Sequence, residues 1–152
     1  MENKDIKMIL SAGALFKAEN TQKYFLIQRA STTSYSNKFS LVGGKVHIGE
    51  KLLEGLTREI KEEIGFVPTI LKWAPFNCYT SMDKKFQYTS IIILTPKEFL
   101  PKLNHENDGY CWVKDISTIK TLHPRLKEVI SSSVLLDGIK NFYFFINIKK
   151  II

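Results

Sequence analysis

The stretch Gly44–Phe66, GKVHIGEKLLEGLTREIKEEIGF, decides how this chain is read. Leu52, Leu56, Ile60 and Ile64 recur every four residues and Leu53 joins them on one face, which predicts a helix over Glu50–Ile64. Gly65 supplies the stop, with Pro68 shortly beyond. Glu59 and Glu63 stand at i,i+4 and Glu59 and Glu62 at i,i+3, so all three carboxylates project from one side while Leu56 and Ile60 face a sheet. Like charges stacked this way repel unless a cation neutralises them, and hard oxygen ligands suit Mg²⁺ or Mn²⁺. The competing reading is a solvated acidic face, with Glu62 or Glu63 paired to Arg58 or Lys61.

Outward from that helix the chain alternates strands and turns. Ile6–Phe16 and Lys23–Arg29 read as strands joined by a polar hairpin connection. Ser31–Lys38 is a polar loop, and Ser40–Val42 a short strand ended by Gly43-Gly44. Ile70–Tyr79 and Phe86–Leu94 read as two further strands around the turn SMDKK, and Tyr110–Val113 as another. Pro124 suits the first turn of a helix reaching about Leu136, ended by Asp137-Gly138, and Phe142–Ile148 reads as a last strand. Strands with two interleaved helices give an α/β domain whose mixed sheet lies between helices.

The bulk properties narrow the class. The 152 residues fit one domain, and 44% hydrophobic with 24% charged residues is ordinary globular composition. The longest apolar-rich stretch, Phe142–Ile148, is far shorter than a membrane-spanning helix, and the charged start MENKDIK is unlike a signal peptide, so cytoplasmic placement is expected. Cys78 and Cys111 form no CxxC pair and read as reduced, semi-buried thiols. The net charge of +7 is scattered rather than clustered, a mild attraction for anionic substrates.

The spacing of the opening stretch closely resembles the Nudix box, the signature of the Nudix hydrolase family. Gly44, Glu50, Arg58, Glu59, Glu62, Glu63 and Gly65 all stand at its anchor positions. Phe66 is larger than the usual last residue, Val42 replaces a frequent proline, and His47 and Ile48 replace a common acid and proline. The resemblance implies a single Nudix domain over 1–152, with the box at 44–66 and an apolar tail at 142–152. It implies an α/β/α sandwich whose catalytic loop–helix–loop holds a divalent metal, Mg²⁺ or Mn²⁺, against a pyrophosphate.

By that resemblance Glu59 and Glu63 are the foremost metal ligands, Glu62 shares the site, and the carbonyl of Gly43 or Gly44 is a further ligand. Arg58 and Glu50 brace the loop against the helix; a phosphate contact is the alternative for Arg58. The base that takes a proton from the attacking water is Glu59, Glu106 or His123. For His123 the alternative is a helix-start residue. Arg29 and Lys45 are candidates for holding a substrate phosphate. Tyr79, Phe86 and Tyr88 either stack on a base or belong to the core, as Trp112 does. His47 and His105 read as exposed loop residues.

The substrate implied is a nucleoside diphosphate linked to another group, such as a nucleotide sugar, ADP-ribose or a dinucleoside polyphosphate. The alternatives are a nucleoside triphosphate, capped RNA, or binding on the same fold without catalysis. No membrane partner is expected, nor any nucleic acid other than capped RNA. The apolar C-terminal strand offers an edge for a homodimer.

Overall fold

A computed structural model describes residues 7–132. The strand expected at Phe142–Ile148 and the expected helix residues beyond Ser132 lie outside the described residues. Within them a seven-stranded mixed sheet is packed between two helices, in the order β1 (Ile9–Ala18), β2 (Tyr24–Arg29), β3 (Phe39–Ser40), β4 (Val42–Lys45), α1 (Leu52–Ile64), β5 (Lys72–Thr80), β6 (Phe86–Thr95), β7 (Asn107–Val113) and α2 (Pro124–Ser131). A 3₁₀ turn at Ile116–Thr118, unanticipated in the sequence, precedes α2.

β1 is the spine. It runs parallel to β6 over its whole length, from Ile9 opposite Phe86 to Ala18 opposite Thr95. Its other edge is shared: β4 pairs antiparallel with Ser11–Ala14, and β2 with Phe16 and Lys17. β7 lies along β2, and β5 closes the far side on β6. Alternation along the strands separates two cores. Leu15, Leu26, Ile92 and Leu94 meet Leu122, Leu126 and Val129 around α2. Ala14, Phe16, Phe25, Ile27, Ile91 and Ile93 meet Leu56, Ile60 and Ile64 of α1. Ile60 and Ile64 are almost fully buried, each contributing about 1.5–3 kcal/mol. The four-residue apolar spacing therefore faces the sheet as expected.

Three details differ from the sequence reading. Gly43 and Gly44 do not end a strand; they form the middle of β4, opposite Gly13 and Ala12. Glycine carries no side-chain alternation, so the sequence pattern hides this strand. Cys78 is exposed on the edge strand β5 rather than semi-buried, while Cys111 is partly buried. Phe66 is half-exposed and packs edge-on against Phe99, centroids 5.9 Å apart. Its size covers an aromatic cluster that also includes Phe16, Phe25 and the partly buried Trp112. Among the described residues no helix is long and apolar enough to cross a membrane.

Two register shifts matter for the site. β2 is bulged at Gln28/Arg29 and β5 between Pro75 and Asn77. A bulge re-aims the side chain beside it. Arg29 and Asn77 both line the cavity described next.

Candidate active site

Arg58 organises the helix. Its guanidinium forks onto Glu50, with Nε donating to Oε2 at 2.9 Å and Nη2 to Oε1 at 3.1 Å. Nη1 also donates to Glu59 Oε1 at 3.0 Å and to Glu62 Oε1 at 3.3 Å, and Nη2 to the Lys45 carbonyl at 2.9 Å. The planar fork allows one side chain to hold so many acceptors. The hydrogen bonds that Glu50 accepts, above all those from Arg58, pull its pKa down to about 2, and donation to Glu50, Glu59 and Glu62 holds Arg58 further in its charged form. Arg58 therefore partly neutralises Glu59 and Glu62; the pairing of Glu62 with Arg58 belongs to the competing reading of a solvated face, whereas Glu63, its other candidate, has no such partner among the described residues. Glu50 also accepts from the His47 backbone at 2.7 Å, pinning the loop that leads into α1; His47 itself is exposed. Gly65 ends α1 in the left-handed conformation, φ 93°, its N–H donating to the Lys61 carbonyl.

Glu63 is different. It is 5% exposed and accepts one hydrogen bond, 3.1 Å, from the Gly43 backbone N–H. Among the described residues no Lys, Arg or His lies within ion-pair distance of it. Burial raises its pKa to about 8, with Glu59 and Glu106 pushing the same way and Gly43 and Arg29 opposing. Glu59 is raised too, chiefly by burial, against its Arg58 contact. Glu106, on the turn entering β7, is exposed, yet its charge reaches both carboxylates. Ala30 N donates to the Glu106 carbonyl at 2.9 Å, which ties that turn to the end of β2.

Folded Glu63 holds its proton more tightly than the unfolded chain does. Its contribution to stability is thus complete below the unfolded value of 4.5 and is lost as pH rises through about 8. The metal-free protein is expected to melt about 2 °C or more lower near pH 8.5 than near pH 5.5, and Glu63→Gln to flatten that slope. Equal slopes for the two proteins, measured by calorimetry, would contradict the burial of an unpaired Glu63.

A cavity of about 290 Å³ opens on the α2 side of the sheet. Its wall contains Gly43 and the box residues Gly44 and Lys45, Arg29 from β2, and Tyr79, Phe86 and Tyr88 from the β5–β6 hairpin. Glycines thin the sheet here. A Cβ on Gly43 would lie 2.0 Å from the Ala12 carbonyl oxygen, one on Gly44 2.6 Å from the Glu59 carboxyl carbon, and one on Gly13 would strike the Tyr88 hydroxyl. The α1 carboxylates thereby come beside a cavity on the opposite face. The Tyr88 hydroxyl marks the junction: burial raises its pKa, and Glu63, Arg125 and Arg29 all act on it. Arg29 is oriented by donating from Nε to the Ser34 carbonyl at 2.7 Å.

His123 caps α2: its Nδ1 accepts from Arg125 N at 3.2 Å, and its ring lies 4.3 Å from that of Tyr35. Burial, with Arg29 and Arg125, lowers its pKa. Tyr79 and Phe86 each have one ring face occupied. The Arg125 guanidinium sits on both, 4.1 Å and 4.7 Å from their centroids. Tyr35, Asn77 and Arg125 are cavity residues the sequence reading missed. One signal for Arg125 was legible, since a cation in the first turn of a helix opposes its dipole and suggests another employment.

The residues fit a hard divalent cation on two observations. Glu63 is a buried carboxylate with no charged partner in ion-pair reach, and the bare Cα of Gly44 leaves a cradle against Glu59 that a Cβ would fill. As Glu59 and Glu62 lean on Arg58, no three acidic, His or Cys side chains among the described residues already converge.

A carboxylate-bearing loop–helix packs on one face of a mixed sheet, and α2 with a cationic cavity on the other, which makes an α/β/α sandwich. The chain belongs to the Nudix family: the family model for the NUDIX domain matches residues 7–131. It is similar to the 8-oxo-dGTP diphosphatase of Escherichia coli (strain K12), 32% identical over 63 residues, which cover 41% of this chain and 48% of that protein. Among solved structures it resembles the MutT protein of Methanosarcina mazei Go1, with a TM-score of 0.63 and 26% identity over 80% of this chain and 89% of that one. A C. elegans Ap4A hydrolase shares the fold, with a TM-score of 0.64 and 18% identity over 91% of this chain and 100% of that one.

Proposed function

We propose that this protein is a Nudix pyrophosphohydrolase, one domain that hydrolyses a phosphoric anhydride bond in a nucleotide-like substrate. The observation that carries the reading is Glu63, buried without a cationic partner beside a cavity lined by Arg29 and Lys45. Glu59 and Glu63 would hold Mg²⁺ or Mn²⁺, with Glu62 and Glu106 bordering the site and the Gly43 or Gly44 carbonyl as a further donor. Bound there, the cation supplies charge neutralisation for the phosphoryl oxygens and a more acidic water.

The chain's own residues do the rest. Arg29 and Lys45 bind the diphosphate oxygens and hold the phosphorus in place. Glu59, whose proton affinity is raised by burial, takes the proton of the attacking water as its oxygen bonds to phosphorus. The bridging P–O bond breaks, and that oxygen leaves on the departing phosphate. The Arg58–Glu50 fork keeps loop and helix in register during this step.

The substrate read first is a nucleoside diphosphate joined to a second group. A nucleoside triphosphate is the second reading, favoured by the similarity to an 8-oxo-dGTP diphosphatase. A panel of nucleotide sugars, ADP-ribose, dinucleoside polyphosphates, triphosphates and capped RNA, assayed with Mg²⁺ or Mn²⁺, separates them by product. Nucleoside monophosphate plus a phosphorylated second group supports the first reading. Monophosphate plus pyrophosphate supports the second, and no turnover of any member contradicts both.

A further inference from the structure

Arg125 is a cavity residue whose chemistry the box leaves unexplained. It stands in the first turn of α2, and its guanidinium rests on the rings of Tyr79 and Phe86. Its Nη1 is shielded from solvent and has no hydrogen-bond partner among the described residues. A guanidinium cannot shed its proton and has only donors to offer. Aromatic faces attract its charge but supply no in-plane lone pair. A buried donor left this way is costly, so the position is set for an acceptor that enters the cavity.

The surroundings choose between acceptors. The cavity wall on the α2 side includes the aromatic and aliphatic Tyr79, Phe86, Leu126 and Val129 together with Asn77 and the carboxylate of Glu128, which repels an anion. A phosphate carried there would lose its hydration for one stacked cation, whereas Arg29 and Lys45 already serve phosphate at the box side. A carbonyl oxygen on a flat, largely apolar group meets the same donor with far less desolvation. A cavity of about 290 Å³ has room for a group of nucleobase size. Guanine would meet the guanidinium with O6 and N7, and uracil or thymine with O4. Adenine keeps the N7 acceptor but sets an amino group where guanine has O6, and cytosine sets one where uracil has O4, donor against donor.

Building on the proposed nucleotide substrate, we infer that Arg125 is a specificity-determining residue that reads a base carbonyl, so the site prefers 6-keto purines and 4-keto pyrimidines over their amino counterparts.

The test is a calorimetric titration of the full chain with two minimal pairs, IMP against AMP and UMP against CMP, alongside inorganic pyrophosphate. Wild type is expected to bind the keto member of each pair about 10-fold or more tightly, as for one hydrogen bond to a charged donor. Arg125→Met keeps a long apolar side chain on Tyr79 and Phe86 and is expected to bring each pair close to equality. Arg125→Lys is expected to fall between. Each ratio is internal, so a smaller folded fraction leaves it unchanged. Equal affinities in wild type overturn the inference, as does a ratio that survives in Arg125→Met. Equal weakening of all four monophosphates together with pyrophosphate also overturns it, because the guanidinium then holds phosphate. Keto preference without turnover of any nucleotide overturns the hydrolase reading alone; turnover without an Arg125-dependent preference overturns this inference alone.

Discussion

Glu59→Gln is expected to lower kcat by about 10²–10⁴-fold, the usual consequence of losing a general base, with little loss of folded structure. Glutamine keeps an oxygen that can accept from Arg58 Nη1, so the contact at 3.0 Å can survive the change. Glu59 also borders the proposed cation site, so two companion variants separate its roles. Glu106 acts on Glu59 and Glu63 through its charge from outside α1. Glu106→Gln is expected to cost less than Glu59→Gln and to raise the Mg²⁺ concentration needed for half-maximal rate. His123→Ala is expected to spare chemistry, because Nδ1 is already engaged as a helix cap. A rate loss of about 10²-fold or more in Glu106→Gln with unchanged Mg²⁺ dependence would place the base on that turn. A severe His123→Ala, with wild-type activity falling on acidification below the ordinary histidine range, would place it on α2.

The second large effect concerns folding. Gly43→Ala would put a methyl 2.0 Å from the Ala12 carbonyl oxygen and 2.7 Å from the Gly13 Cα, both backbone atoms of β1. Relief requires the β1–β4 ladder to separate, so a loss of about 3 kcal/mol or more is expected, at the upper end for overpacking. That corresponds to a melting temperature lower by roughly 6–12 °C for a chain of this size. Gly44→Ala is expected to behave differently. Its methyl would meet only the Glu59 carboxylate, the far end of a side chain that can swing away. Stability should change little while activity falls steeply. Similar melting temperatures for both variants would contradict the close packing of Gly43.

These glycines show where the sequence was transparent and where it was not. Helix α1 was legible because Leu56, Ile60 and Ile64 repeat at its pitch, and the site was legible because its polar anchors lie within that helix and the loop before it. Strand β4 was hidden because Gly43 and Gly44 have no side chains to alternate. The parallel pairing of β1 with β6 joins residues about 77 positions apart, and no local pattern encodes it. Arg58 was read as a brace for Glu50, but its reach to Glu59 and Glu62 depends on how one fork is oriented. The cavity was largely illegible for a related reason. Arg29, Tyr79 and Arg125 come from three distant segments, and two of the side chains are re-aimed or stacked by tertiary contacts. Tyr79 and Phe86 were candidates for stacking on a base or for the core, and in the structure they line the cavity and carry Arg125 on one face.

The most direct test of the central claim is phosphate-bond hydrolysis measured before and after exhaustive chelation. Nucleotide turnover should vanish with the chelator and return on adding Mg²⁺ or Mn²⁺, and Glu63→Gln should fail to recover under the same addition while remaining folded. Full activity after complete removal of divalent cations, or undiminished recovery in Glu63→Gln, would contradict a cation held by the carboxylates of α1.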